Sequence, residues 1–106
     1  MEQTGAMKDL SLEELKKIVA PIAIEHGIIR LYLFGSRARG DNHAGSDYDF
    51  CIEIPEEYDL FDIGGIMYDL EEAIGPEIDL VCEDSAMKKP SLMEEILRDR
   101  KILFEA

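Results

Sequence analysis

The sequence predicts a small α/β (α+β) domain in which a mixed sheet packs against helices. Three observations carry that prediction. Segments of helical periodicity alternate with short runs of branched and aromatic residues. Their order reads α-β-loop-β-α-β-α-β, which suits a sheet covered by helices. The length, 106 residues, fits one core and one domain spanning 1–106.

Residues 1–9 read as a frayed lead-in. Ser11-Leu12-Glu13-Glu14 is a capping box, with Ser at the N-cap and Glu at N3. Leu12, Leu15, Ile18, Val19 and Ile22 then follow helical spacing to His26, and Gly27 supplies a left-handed stop. Pro21 falls inside this pattern, where it can kink the helix. Ile28–Phe34 reads as a strand that ends at Gly35-Ser36. Residues 37–46 form a small, polar loop with room for one helical turn. Asp47–Ile54 alternates: Tyr48, Phe50, Ile52 and Ile54 face one way, and Asp47, Asp49, Cys51 and Glu53 face the other. Pro55 closes that strand. Asp59 caps a second long helix with an apolar stripe of Leu60, Ile63, Met67, Leu70 and Ile74, ended by Gly75-Pro76. Gly64-Gly65 weakens this helix and permits close packing. Glu77–Cys82 is a third strand. Ser91 with Glu94 reads as a second capping box, opening a helix that runs to about Arg98. Lys101–Glu105 is a short last strand.

Composition narrows the function classes. Eleven basic against twenty-four acidic residues give a net charge of −13. Such a surface repels nucleic-acid phosphates and argues against direct nucleic-acid binding. From Asp41 to Asp84 there is no Lys or Arg, and that stretch holds fifteen acidic residues. Part of the run is expected to be a solvated face, and other residues in it a site for divalent cations joined to a docking face for a basic partner. No apolar run is long enough to span a bilayer, and Met1–Lys8 has no signal-peptide core, so the expected location is cytoplasmic. Cys51 and Cys82 lie in apolar strand-like runs without metal-binding spacing and are expected to be buried free thiols.

Chemistry concentrates at three places. Gly35 permits an unusual turn and a close backbone approach, and Ser36 adds a hydroxyl and an N–H. If a helical turn begins there, its free N–H groups form a phosphate seat; alone, Gly-Ser after a strand is an ordinary strand-to-helix turn. Asp47 and Asp49 share one strand face with backbone positions roughly 6.6 Å apart. Two like charges so placed suit a hard cation such as Mg²⁺; alone, they read as charges that protect a sheet edge. Asp79 interrupts the apolar run Ile78-Leu80-Val81 and completes a carboxylate triad if its strand lies beside Asp47–Ile54. Otherwise it is a solvated residue.

Gly35-Ser36 followed by Asp47-x-Asp49 resembles the signature of the DNA polymerase beta nucleotidyltransferase superfamily. The fuller string GSRARGDNHAGSDYDF with the later EIDLV resembles the stand-alone minimal nucleotidyltransferases. The likeness covers nearly the whole chain. It implies transfer of a nucleotide from a nucleoside triphosphate, ATP as co-substrate, to a hydroxyl, with release of pyrophosphate. It further implies that Asp47 and Asp49 hold two Mg²⁺ ions, that Asp79 shares one of them and also helps receive the proton, and that Gly35 and Ser36 hold the triphosphate. Arg37 and Arg39 directly follow the cradle. They either neutralise charge on the departing pyrophosphate, with Arg37 the better placed, or pair with the nearby acidic surface. His43 reads as a solvated loop residue and His26 as a favourable charge at a helix end.

Domains of this size resemble the antitoxin half of HEPN/MNT toxin–antitoxin pairs. The resemblance implies a protein adenylyltransferase that moves AMP onto a tyrosine of a HEPN-type toxin partner, in a hetero-oligomer. Two other readings stay open: an antitoxin that neutralises its partner by binding alone, and an aminoglycoside-type, small-molecule nucleotidyltransferase.

Overall fold

The computed structural model describes residues 9–106, so the lead-in expected over residues 1–9 lies outside the described residues except for Asp9. Helix α1 (Leu12–His26) starts at Ser11, whose side chain accepts from the Glu14 N–H while Glu14 reaches back to the Ser11 N–H. It stays helical through Pro21 and stops at Gly27, which has φ +67°. Strand β1 (Arg30–Phe34) follows, then a single helical turn, α2 (Ser36–Arg39), where a loop was expected to dominate. Strand β2 is Tyr48–Glu53 and helix α3 is Leu60–Ile74. Asp59 caps α3 with Asp62 as its capping-box partner. Strand β3 (Ile78–Cys82) runs into a short helix α4 (Glu83–Ala86), then α5 (Pro90–Asp99) and β4 (Lys101–Glu105).

Two expected details are corrected. Ser91 does not cap α5: Pro90 occupies its first turn, Lys89 is the N-cap, and no side chain caps it. Proline suits that place because its fixed φ and missing N–H cost nothing in a first turn. Leu60 does not belong to the buried stripe of α3; it is exposed, and Ile66 with Leu70 carries the burial. Leu60 is the first residue of the helix, more than a turn before Ile66.

The sheet order is β3-β2-β1-β4, with β2 and β3 parallel and the other pairs antiparallel. One face carries the main core, in which Leu15, Val19, Leu31, Leu33, Phe50, Ile52, Ile66 and Leu70 are buried beneath α1 and α3. A second, smaller cluster lies on the other face, where Phe34 and Cys51 meet Ala86 and Ile96 of α4 and α5. Cys51, read on the polar face of β2, is therefore buried, and its thiol is pushed up to about 12, chiefly by burial. Cys82 is free and half-buried.

Candidate active site

The site forms where β1 ends. Gly35 has φ +78° and ψ −160°, a conformation that L side chains avoid. A Cβ at this position would overlap the Asp49 carboxylate. Glycine is thus required twice, for the turn and for the approach. The turn launches α2, whose first helical bonds run from the Ala38 and Arg39 N–H groups to the Gly35 carbonyl, each at 3.0 Å. The N–H groups of Ser36 and Arg37 precede those bonds, so they face outward from the helix start.

Register brings the carboxylates together. Asp49 on β2 pairs with Phe34 on one side and with Asp79 of β3 on the other. Paired residues project to the same face at neighbouring-strand spacing of about 4.8 Å. Asp47 lies one residue before β2 and is exposed, as is Asp79 on an edge strand. The apolar run around Asp79 therefore does not bury its charge. Asp49 differs: it is half-buried, between Phe34 of β1 and Asp79 of β3. Its pKa is raised to about 6, first by burial and then by Asp79, Asp47 and Glu95, with Arg39 opposing.

Among the described residues no group of three or more carboxylate, imidazole or thiol side chains is arranged to hold a metal ion. The donor set nevertheless fits Mg²⁺, which takes oxygen ligands, keeps several waters and completes its shell with substrate phosphates. Burial first, and then Asp79, Asp47 and Glu95, disfavour the Asp49 charge, and a cation at this place would offset that cost.

The two arginines part company. Arg37 turns inward, its side chain only 5% exposed. Its Nε donates to the Ser46 carbonyl at 2.9 Å, its Nη1 to Asp9 Oδ1 at 2.9 Å, and its guanidinium lies 4.1 Å from the centre of the Tyr48 ring. Nη2 is buried with no hydrogen-bond partner among the described residues. This guanidinium pins the loop before β2. Arg39 stays 37% exposed and bonds Asp41 at 3.1 Å and Asp99 at 2.7 Å, with Glu95 3.8 Å away. His43 sits in the loop, exposed, where its N–H donates to Ser46 Oγ at 2.9 Å. His26 lies 2.7 Å from Asp69 of α3, tying two helices together.

Helix α5 also reaches the site, an approach absent from the sequence expectations. Glu95 and Asp99 both face Arg39, and Glu95 acts on Asp49. Their i, i+4 spacing, which puts two acids on one helix face, was the available signal.

A mixed sheet with a Gly-Ser turn against an Asp-x-Asp strand defines the nucleotidyltransferase class of fold. The family profile described as "Polymerase beta, Nucleotidyltransferase" matches residues 16–106, and the chain belongs to that family. It is 34% identical over 90 residues to a candidate protein adenylyltransferase of Methanocaldococcus jannaschii, covering 85% of this chain and 95% of that protein. It is 33% identical to the protein adenylyltransferase MntA of Aphanizomenon flos-aquae, covering 93% of this chain and 67% of that protein. A solved structure of a candidate minimal nucleotidyltransferase superposes with a TM-score of 0.71 at 32% identity, over 87% of this chain and 95% of the other. A tri-AMPylated HEPN toxin of Shewanella oneidensis in complex with its MNT antitoxin gives a TM-score of 0.67 at 18% identity, over 91% and 74% of the two chains. That last likeness concerns the fold.

Proposed function

We propose that this chain is a protein adenylyltransferase that transfers AMP from ATP to a tyrosine hydroxyl of a HEPN-type toxin partner and thereby acts as its antitoxin. One observation carries the chemical part: Gly35 packs on the Asp49 carboxylate while Asp79 sits in register beside it. A triphosphate seat and a set of cation-binding carboxylates thus share one sheet end. The relatives named as protein adenylyltransferases support the acceptor class.

In this reaction the acceptor oxygen forms a bond to the α-phosphorus. The bond from that phosphorus to the bridging oxygen of the β-phosphate breaks, pyrophosphate leaves, and the hydroxyl proton passes to a carboxylate or to water. Asp47, Asp49 and Asp79 would hold two Mg²⁺ ions, which supply charge neutralisation and a more acidic acceptor hydroxyl when bound. The N–H groups at Ser36 would bind phosphate oxygens, and Gly35 leaves the room for them. Asp79, exposed on the edge strand β3, would receive the acceptor proton. Arg39 is the arginine with surface left to meet the leaving pyrophosphate; Arg37 holds the loop that delivers Asp47.

The acidic stretch from Asp41 to Asp84 supports docking of a basic partner. Incubation with ATP, Mg²⁺ and a HEPN-type toxin partner should add AMP-sized mass to that protein. No added mass, or equal addition by Asp47→Ala, would overturn the reading. An Asp47→Ala chain that still silences the toxin would instead favour neutralisation by binding alone.

A further inference from the structure

Asp99 is a buried carboxylate with no part in the transfer as described above. It is the last residue of α5, and its side chain is only 4% exposed. A buried charge is costly unless it is paired and hydrogen-bonded. Two guanidinium groups pair this one. Arg98 donates from Nε to Oδ1 at 3.0 Å and from Nη2 to Oδ2 at 3.3 Å. Arg39 crosses from α2 and donates from Nη1 to Oδ2 at 2.7 Å. Arg98 alone balances the carboxylate charge, so the bond to Arg39 needs another reason.

The other contacts of Arg39 are of a different kind. Asp41 is 62% exposed, and Glu95 at 3.8 Å is too far for a hydrogen bond. Exposed pairs of this sort are worth little and exchange readily. Asp99 is the buried anchor of the set. Helix α2 is a single turn, too short to sustain itself. The Asp99 bond ties its last residue to α5, which Ile96 fixes in the second core cluster. Arg39 is thereby held on the turn that starts at Gly35, while its side chain stays 37% exposed.

We propose that Asp99 is a positioning residue that holds the Arg39 guanidinium beside the triphosphate seat. An incoming triphosphate replaces Asp41 and Glu95 at Arg39, and the bond to Asp99 persists. This inference rests on the nucleotidyl-transfer reading above.

The test is a double-mutant cycle on binding of the non-hydrolysable analogue AMP-PNP with Mg²⁺, measured by calorimetry. Arg39→Ala should weaken binding by about tenfold, the loss of a charge-assisted hydrogen bond. Asp99→Asn should weaken it by several fold, and the double variant should bind no worse than Arg39→Ala alone. Additive losses, or Asp99→Asn binding like wild type, overturn the proposal. If Asp99→Asn does not fold, Asp99→Glu takes its place in the cycle: a loss of AMP-PNP affinity that is absent in the Arg39→Ala background supports the proposal, and an additive loss or none overturns it. Failure of the wild-type chain to bind AMP-PNP would instead overturn the nucleotide reading itself.

Discussion

Replacing Asp49 with Asn should make the metal-free protein more stable while destroying its chemistry. The Asp49 carboxyl is raised from its ordinary 3.8 to about 6, mostly by burial and then by Asp79 and Asp47. A carboxyl whose pKa is higher in the folded chain favours folding at pH values below its unfolded pKa. That contribution is lost as pH rises through about 6. Above that pH the ionised group opposes folding. At roughly 1.4 kcal/mol per pKa unit the penalty is bounded at about 3 kcal/mol. Partial exposure screens it, so about 1 kcal/mol is the expected gain for Asp49→Asn at pH 8. For a domain of this size that is a rise in Tm of roughly 4–8 °C. The assay is a pair of thermal melts in a metal chelator, wild type against variant, at pH 8 and at pH 3.5. The gain should be present at pH 8 and nearly absent at pH 3.5. A variant that melts at or below wild type at pH 8, or that keeps the same advantage at both pH values, refutes the reasoning.

Other expectations follow from the same geometry. Mg²⁺ added to the wild-type chain should raise its Tm, and Asp49→Asn should lose most of that response, because the cation relieves the charge that the variant lacks. Gly35→Ala should cost about 1–3 kcal/mol in chemical denaturation and abolish AMP-PNP binding, since the φ of +78° and the Asp49 carboxylate both exclude a Cβ. Arg37→Ala should destabilise the fold by about 1–3 kcal/mol and increase amide exchange across residues 41–47, because the guanidinium holds the Ser46 carbonyl and covers Tyr48. Cys51 should resist a thiol reagent in the native protein and react only on unfolding, being buried with a thiol pushed up to about 12.

Much of this was legible in the sequence because it depends on local pattern. The Ser11–Glu14 capping box, the Gly27 stop and the alternation in Tyr48–Ile52 each state a conformation within a few residues. The pairing of Asp49 with Asp79 was expected conditionally and is set by strand register. What local pattern could not give is what covers a face. Cys51 and Asp49 alternate together, yet Ala86 and Ile96 bury the first and leave the second half-open. Arg37 and Arg39 are two residues apart on a single helical turn. Their opposite fates depend on long-range partners, Ser46 with Tyr48 for one and Asp99 for the other. The supposed Ser91 cap failed for a local reason, since Pro90 already opens the helix.

The most direct test of the account follows the two ends of the triphosphate separately. The chain, Mg²⁺ and the HEPN-type partner are incubated with ATP labelled at the α-phosphorus, and in parallel with ATP labelled at the γ-phosphorus. Nucleotidyl transfer predicts α-label on the partner and γ-label only in released pyrophosphate, both abolished by Asp49→Asn. γ-Label on the partner, or α-label that survives Asp49→Asn, would contradict it.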